Sequence, residues 1–596
     1  MEEMRKMMMM MMVGLKPPAP PILLLQRHLL LVLFFILLSS SSSSSFATSV
    51  PSDSDNHPGI SASERSRSIK AETLPIDSAF DLPAPLPRFP SGGGFASGVV
   101  DLGGLLVRQV TTLSRVWSIN GGGQDNLGVT FFEPTSVPEG YSMLGFYAQP
   151  NNRPLYGWVL VAKDSSGNAM KPPVDYTLVW SQDGSGYIWL PVPPDGYKAA
   201  GYVVTTSSVK PPLDKVRCVR SDLTAQTEPD EWMYWDGNAM TVSSSRPSDR
   251  GIQSAPVGAG TFVIQTGSGI SPSMACLRNS ALSNYSSMPN RAQIGSLVQV
   301  YSPIVYFHPD ESYLPSTVNW FFTNGALLYT KGQEANPVGI DPTGSNLPQG
   351  GGNDGAYWLD LPIDGGAQGT VKRGFLQGSQ AYLHVKPMFG ATFTDIAVWL
   401  FYPFNGAARA KVKFFTVDLG KLGEHVGDWE HVTLRISNFD GRLRSVFFAQ
   451  HSSGIRVPAS GLEFQTGNKF VSYASLHGHA SNPKQGTVLQ GNNGVGVRND
   501  YSRSGMFLDT GVNYTVLAAE YLGSSVYVEP PWVEFFREWG PNHEYDTTEQ
   551  LKKVAEVLPG KLKTTFVDVM QSLPSDVLRQ EGPTGPKMKP SWSGDE

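Results

Sequence analysis

The chain is poor in charge and nearly free of cysteine. Only 16% of its 596 residues are charged, with 46 Lys plus Arg against 52 Asp plus Glu, for a net charge of −6. No basic stretch dominates the folded region, which argues against nucleic acid as a main partner. Two cysteines, Cys218 and Cys276, exclude a disulfide framework and any Cys-based zinc site, and leave room for one bridge in a secreted protein. There is no HExxH, no Gly-x-Ser-x-Gly, no Gly-rich phosphate loop and no dinucleotide fingerprint. In contrast, Gly (62) and Pro (46) are plentiful, and 40% of residues are apolar and 11% aromatic. This composition predicts a mostly β protein of short strands joined by turns, and the length predicts two folded domains plus flanks.

Residues 1–47 read as a targeting segment. Arg5, Lys6, Lys16 and Arg27 precede an uncharged apolar run, Leu29 to Leu38, followed by a Ser tract and Ser45-Phe46-Ala47. A secretory signal peptide cut near Ala47 is the first reading, and a signal anchor extended through Ile22–Leu25 the second. A Ser-rich transit peptide is the third. Asn284 and Asn513 head sequons that only the secretory route would glycosylate. Residues 48–94, rich in Ser, Pro and acid, are expected to be a disordered linker.

From about 95 to 270 the sequence repeats. Val116-Trp117-Ser118-Ile119-Asn120-Gly121 recurs as Val179-Trp180-Ser181-Gln182-Asp183-Gly184, and more weakly as Tyr234-Trp235-Asp236-Gly237. A second motif, Pro138-Glu139-Gly140-Tyr141 with Gly145-Phe146, recurs as Pro194-Asp195-Gly196-Tyr197 with Gly201-Tyr202, and ends near Gly260-Thr261-Phe262 in the third copy. Three units with several strands each predict a β-prism-like domain, its Trp and Tyr filling a shared interior. From 295 to 545, longer apolar runs predict a β-sandwich, with Trp399 to Pro403 as a buried strand ending at the proline. In the tail, 546–596, a helix is expected near 547–572, broken at Pro559-Gly560.

Chemistry concentrates in Glu424-His425-Val426-Gly427-Asp428-Trp429-Glu430-His431. The octapeptide runs into the alternating strand Val432–Ile436, so Asp428 and Glu430 share a face, and Gly427 lets the backbone turn His425 back towards them. Two carboxylates and an imidazole suit a divalent cation, calcium or magnesium before zinc, and equally suit a hydrogen-bonded structural network. Five of the ten histidines fall between 425 and 479. His451 is expected at a strand rim, and His477 and His479 on one strand face, making all three candidate ligands. His308, beside Asp310 and Glu311, is placed in the same cleft.

The run Gly94-Phe95-Ala96, Gln124 to Pro134, Gln149-Pro150-Asn151-Asn152 and His425 to His431 resembles the plant family related to vacuolar protein sorting-associated protein 62, over about residues 80–596. The resemblance implies a role in delivery to the vacuole, with no established enzymatic activity. The octapeptide is also similar to the Gly-His-Arg-His-Asp-Trp-Glu motif of necrosis-inducing cytolysin-like proteins, which holds a divalent metal near a membrane-docking edge of a β-sandwich. On that likeness the metal ligands are His425, Asp428 and Glu430, with Asp418 as an added acidic ligand; Gly427 and Glu424 depart from the toxin motif.

These readings predict a non-enzymatic protein that docks on a membrane surface, glycolipid or glycan through a metal-bearing second domain. A metal-dependent hydrolase, with a spare histidine as base, is the alternative, and a purely structural cluster the third. The targeting segment points to the secretory pathway: secreted, vacuolar or membrane-anchored. If residues 1–47 are a gene-model extension, the place is cytoplasmic or endosomal.

Overall fold

The two longest strands among the described residues pair with each other. The computed structural model describes residues 73–596 apart from 124, 183, 238–239, 268–273, 283–284, 452, 493, 543–546, 557 and 572–581. In it, Phe393–Asn405 and His425–Ser437 run antiparallel along their whole length. They are the middle of a six-stranded sheet ordered Ser453–Pro458, Leu443–Gln450, His425–Ser437, Phe393–Asn405, Ala381–Met388, Tyr514–Ala518, in which only the last pairing is parallel. Every residue of Phe393–Asn405 is buried, so both faces of the sheet are covered. Strand alternation sorts the side chains into two cores. Val398, Leu400, Tyr402, Val432, Leu434 and Ile436 face one, with Ile294, Leu297 and Tyr301 of the helix Arg291–Tyr301. Trp399, Phe401 and Trp429 face the other, against Phe321, Phe322, Trp532 and Trp539.

Pro403 does not end its strand, contrary to the expectation. The ladder skips it, pairing Tyr402 with Asp428 and then Phe404 with Val426. Proline offers no N–H, and Gly427 across from it takes φ +65°, so the strands part at this one pair and rejoin in the same register.

Strands of the repeated segment fall in five sheets, three of which carry the repeated Trp motif. One is Leu113–Ile119, Val129–Pro134 and Tyr147–Pro150; the second is Asp175–Gln182, Gly186–Val192 and Val203–Thr205. Thr224–Trp235, Met240–Pro247 and Phe262–Thr266 lie in the third. They share a core with Trp117, Phe131, Phe146, Trp189, Tyr202, Tyr234 and Phe262. The equivalent positions Gly145, Gly201 and Thr261 meet at one point: a Cβ on Gly145 would stand 2.5 Å from the Gly201 Cα and 3.0 Å from Thr261 Cγ2. The next residues, Phe146, Tyr202 and Phe262, are fully buried, with Tyr202 stacked on Phe262 at 5.4 Å. The expectation that every repeat Trp is interior needs correcting. Trp180 is half-buried against Trp117, and Trp235 is 53% exposed, where the third copy slips register around Trp232 and turns Tyr234 inward instead.

Residues Glu72–Glu596 form one compact unit. The repeat meets the central sheet through Tyr156 Oη donating to Leu443 O (2.9 Å), Asn279 Nδ2 donating to Gly390 O (2.6 Å) and Ser437 Oγ donating to Gln109 Oε1 (2.8 Å). The linker expected to reach residue 94 stops short of that. Leu82 is buried in the first core with Phe80 and Phe89 packed against it, and Pro90 O accepts from Gln293 Nε2 at 2.8 Å. Its composition hid these apolar anchors. Residues 1–47, and Asn284, lie outside the described residues. Two helices, Thr547–Ala555 and Lys561–Gln571, flank the expected break. Cys218 and Cys276 are buried free thiols. Among the described residues no helix is long and apolar enough to cross a membrane.

Candidate functional site

The octapeptide takes its shape from Gly427. A Cβ there would stand 2.5 Å from Trp539 O, and its φ of +65° disfavours any other residue. This left-handed residue resets the alternation. Val426 and Trp429 both enter the tryptophan core, and Asp428 and Glu430 fall on the opposite face with Tyr402. The His425 ring folds back over this turn, its Nδ1 3.2 Å from Gly427 O. A carbonyl only accepts, so in this contact Nδ1 carries the proton.

His425, Asp428, Glu430 and His451 together line a cavity of about 460 Å³, which His431 and the C-terminal residues Lys589 and Glu596 also line. The same four residues line a smaller space of about 50 Å³ with Asn405, Arg409 and Arg498. Asp428 is buried, and its Oδ2 lies 2.9 Å from His479 Nδ1. His479 Nε2 is 2.9 Å from Tyr313 O, and the ring stacks on Tyr402 at 3.8 Å and 7°. Glu311 Oε2 stands 3.9 Å from that nitrogen and accepts the His477 N–H at 2.6 Å. Burial by itself would raise the Asp428 carboxyl, but the His479 hydrogen bond and the charges of His425, His479 and Lys589 outweigh it and hold it below the ordinary value. The Tyr402 phenol is pushed well up by burial and by the carboxylates of Asp428, Glu430 and Glu311.

His479 is therefore a clamp between two acceptors. His479→Ala is expected to cost about 2–3 kcal/mol, because Asp428 and Tyr313 O lose their partner while still buried. Urea unfolding of the variant measures this. The sign for pH follows from a lowered carboxyl: the Asp428 contribution is present above about pH 4 and lost as pH falls through the lower folded value. The His479→Ala variant should show a weaker acid dependence.

The remaining expectations divide. His451 lines the pocket, at φ +55°, immediately after the strand Leu443–Gln450. His477 and His479 do not share a strand face. Their strand ends at Ala474, and both adopt positive φ in a tight turn, with His477 directed at Ala407 O (3.2 Å) and His479 at Asp428. Asp418 is exposed on a hairpin opposite Arg409 and lines neither cavity. His308 accepts from its neighbour Asp310 N at 3.1 Å and also lies outside the lining. His431 lies 2.6 Å from Glu596 and stacks on Trp399 at 4.0 Å. Asn513 is exposed, its amide donating to Ser379 O at 2.9 Å. Two parts were missed. Glu311 arrives because Ile304–Tyr306 pairs in parallel with Val471–Tyr473, and Lys589 arrives on a tail more than 150 residues away in sequence. Among the described residues, no three His, Cys, Asp or Glu side chains form a group that could hold a metal ion.

The fold and the pocket define a mostly β protein whose central sheet presents Asp428, Glu430 and the imidazoles of His425, His431 and His451 to a cavity that its C-terminal residues also line. The chain belongs to the vacuolar protein sorting-associated protein 62 family, whose model matches residues 76–596. No curated protein sequence matches it. Among solved structures it is similar to GNIP1Aa from Chromobacterium piscinae, at 22% identity and TM-score 0.26, over 33% of this chain and 40% of that one. Necrosis-inducing-type proteins are also similar to it at low identity. The non-toxic HaNLP3 protein is 16% identical, over 33% of this chain and 72% of that one, at TM-score 0.19. NLPPya in complex with glucosamine is 13% identical, over 33% and 70%, at TM-score 0.19.

Proposed function

We propose that this chain is a non-enzymatic binding protein of the endomembrane system that docks on a membrane surface or glycan, with a divalent cation held by His425, Asp428 and Glu430. The family points to vacuolar sorting, and the observation behind the site reading is that these three side chains line one cavity, although they do not stand together as a group that could hold a metal ion. Two carboxylates to one imidazole suit a hard cation, calcium or magnesium before zinc. When bound, the cation would supply positive charge for an anionic or hydroxyl-rich group. His479 bonds Asp428, the left-handed Gly427 leaves Asp428 and Glu430 on one face, and Lys589 adds a positive charge to the lining. In this reading residues 95–270 form a β-prism, supported by the three sheets around Gly145, Gly201 and Thr261, and 295–545 form a β-sandwich.

Asp428→Asn with Glu430→Gln is expected to abolish calcium- or magnesium-dependent binding to vesicles or a glycan array while the protein remains folded. Undiminished binding by the double variant removes the site from the docking element. The ion-paired clamp Asp428–His479–Tyr313 favours a second reading, in which the cluster only ties the loops around 311, 428 and 479 together. Loss of stability in the double variant without loss of binding would support it.

A further inference from the structure

The most exposed large apolar side chain among the described residues is Phe414, at 98%, and its neighbour Phe415 is 52% exposed. They sit at the tip of a two-strand hairpin, Arg409–Val412 with Phe415–Asp418, where Val412 pairs with Phe415 across a two-residue turn. Such a turn favours Gly or Asn where φ is positive, yet this one places Lys413 there at +57°. The hairpin is held firmly. Arg409–Val412 pairs on its other side with Val495–Tyr501, and the Lys413 N–H donates to Gly494 O at 2.7 Å. Ala410 and Val412 pack inward against Leu551, Phe566 and Met570 of the two C-terminal helices. The tip is thus a rigid, supported projection rather than an apolar pair awaiting the core.

Its charge is unlike that of the rest of the chain. Between 409 and 421 stand Arg409, Lys411, Lys413 and Lys421 against Asp418 alone, in a molecule of net charge −6. The hairpin's base, Arg409 beside Arg498, lines the small cavity shared with His425, Asp428 and Glu430. At strand rise, the tip lies about 15 Å from that wall. Aromatic side chains flanked by lysines match the interfacial layer of a bilayer with anionic headgroups: the rings enter the headgroup–acyl boundary and the ammonium groups stay at the phosphates.

We propose that Lys411-Val412-Lys413-Phe414-Phe415 is a membrane-docking prong that seats the neighbouring pocket against an anionic lipid surface. This rests on the membrane-associated reading above and supplies its contact surface. The test is co-sedimentation of the full chain with vesicles of phosphatidylcholine, with and without phosphatidylserine, alongside its cation content and melting temperature. Wild type should bind the phosphatidylserine vesicles, and more weakly as salt rises. Phe414→Ala with Phe415→Ala should lose about ten-fold or more of that binding. Lys411→Gln with Lys413→Gln should lose about five-fold per lysine and much of the salt dependence. Melting and cation content should be unchanged in both, since neither pair lies in the core or the pocket.

Equal binding by wild type and the Phe variant overturns the prong while leaving the cation site to its own measurement. Absence of wild-type binding to either vesicle also overturns it. Self-association that the Phe variant abolishes, without vesicle binding, reassigns the tip to a protein contact and overturns the proposal. Loss of cation in Asp428→Asn/Glu430→Gln with vesicle binding intact supports the prong and separates it from the pocket.

Discussion

Gly427→Ala is expected to destabilise the 72–596 unit by about 3–4 kcal/mol, a large effect for adding one methyl group. Part of this is the cost of a β-carbon at φ +65°; the rest is its approach to within 2.5 Å of Trp539 O and 2.9 Å of the Trp539 Cβ, neither of which can swing aside. Trp539 is fully buried against Trp429, Trp532 and Phe401, so relief means moving the tryptophan core or the site strand. Urea unfolding measures the loss. If the strand shifts to relieve the clash, Asp428 moves with it, and cation-dependent binding should fall too. A cost under about 1 kcal/mol would mean that the turn of the strand at Gly427 is soft and does not determine where Asp428 points.

Removing the charge of Arg435 should be as damaging. Its guanidinium grips buried Asp395 through two bonds, at 2.9 and 2.7 Å, and also binds Asp595 in the tail. Beside it Lys386 Nζ donates to Ser591 O at 2.7 Å, Arg456 donates to Glu596 O at 2.6 Å, and His431 meets the Glu596 carboxylate. Arg435→Met strands two carboxylates on one side of the sheet and is expected to cost about 3–5 kcal/mol by urea unfolding. Burial alone would raise Asp595 and Glu596; the charges of Arg435 and Arg456 on the first, and of His431 on the second, hold both below the ordinary carboxyl value. Carboxyls lowered by folding stabilise above about pH 4 and lose that contribution as pH falls through their folded values. Acidification should therefore loosen the tail that walls the pocket, and Arg435→Met should flatten the acid limb of the stability profile.

Local patterning carried well where the chemistry was local. The turn at Gly427, the shared face of Asp428 and Glu430, the fold-back of His425 and the break between the two C-terminal helices were all legible within a few residues. The repeat was legible because Gly145 and Gly201 are forced by the close approach of three copies, which leaves a sequence periodicity. What was not legible depends on long-range pairing. The parallel register of Ile304–Tyr306 on Val471–Tyr473 delivers Glu311 to His477 and His479, and no spacing encodes it. The alternation assumed for His477 and His479 failed because the strand stops at Ala474 and both residues then take positive φ, a conformation uncommon for any residue but glycine. Phe80, Leu82 and Phe89 were hidden by the polar composition around them, although three apolar anchors suffice to lay a segment onto a core.

The most direct test of the account is cation content and chelator-sensitive melting of the full chain, wild type against Asp428→Asn/Glu430→Gln. The account predicts one calcium or magnesium bound per wild-type chain, a melting temperature lowered by chelator, and loss of both responses in the variant. A wild-type protein that holds no cation and melts identically with and without chelator, matched by the variant, would contradict it and leave His425, Asp428 and Glu430 as part of the hydrogen-bonded frame around His479.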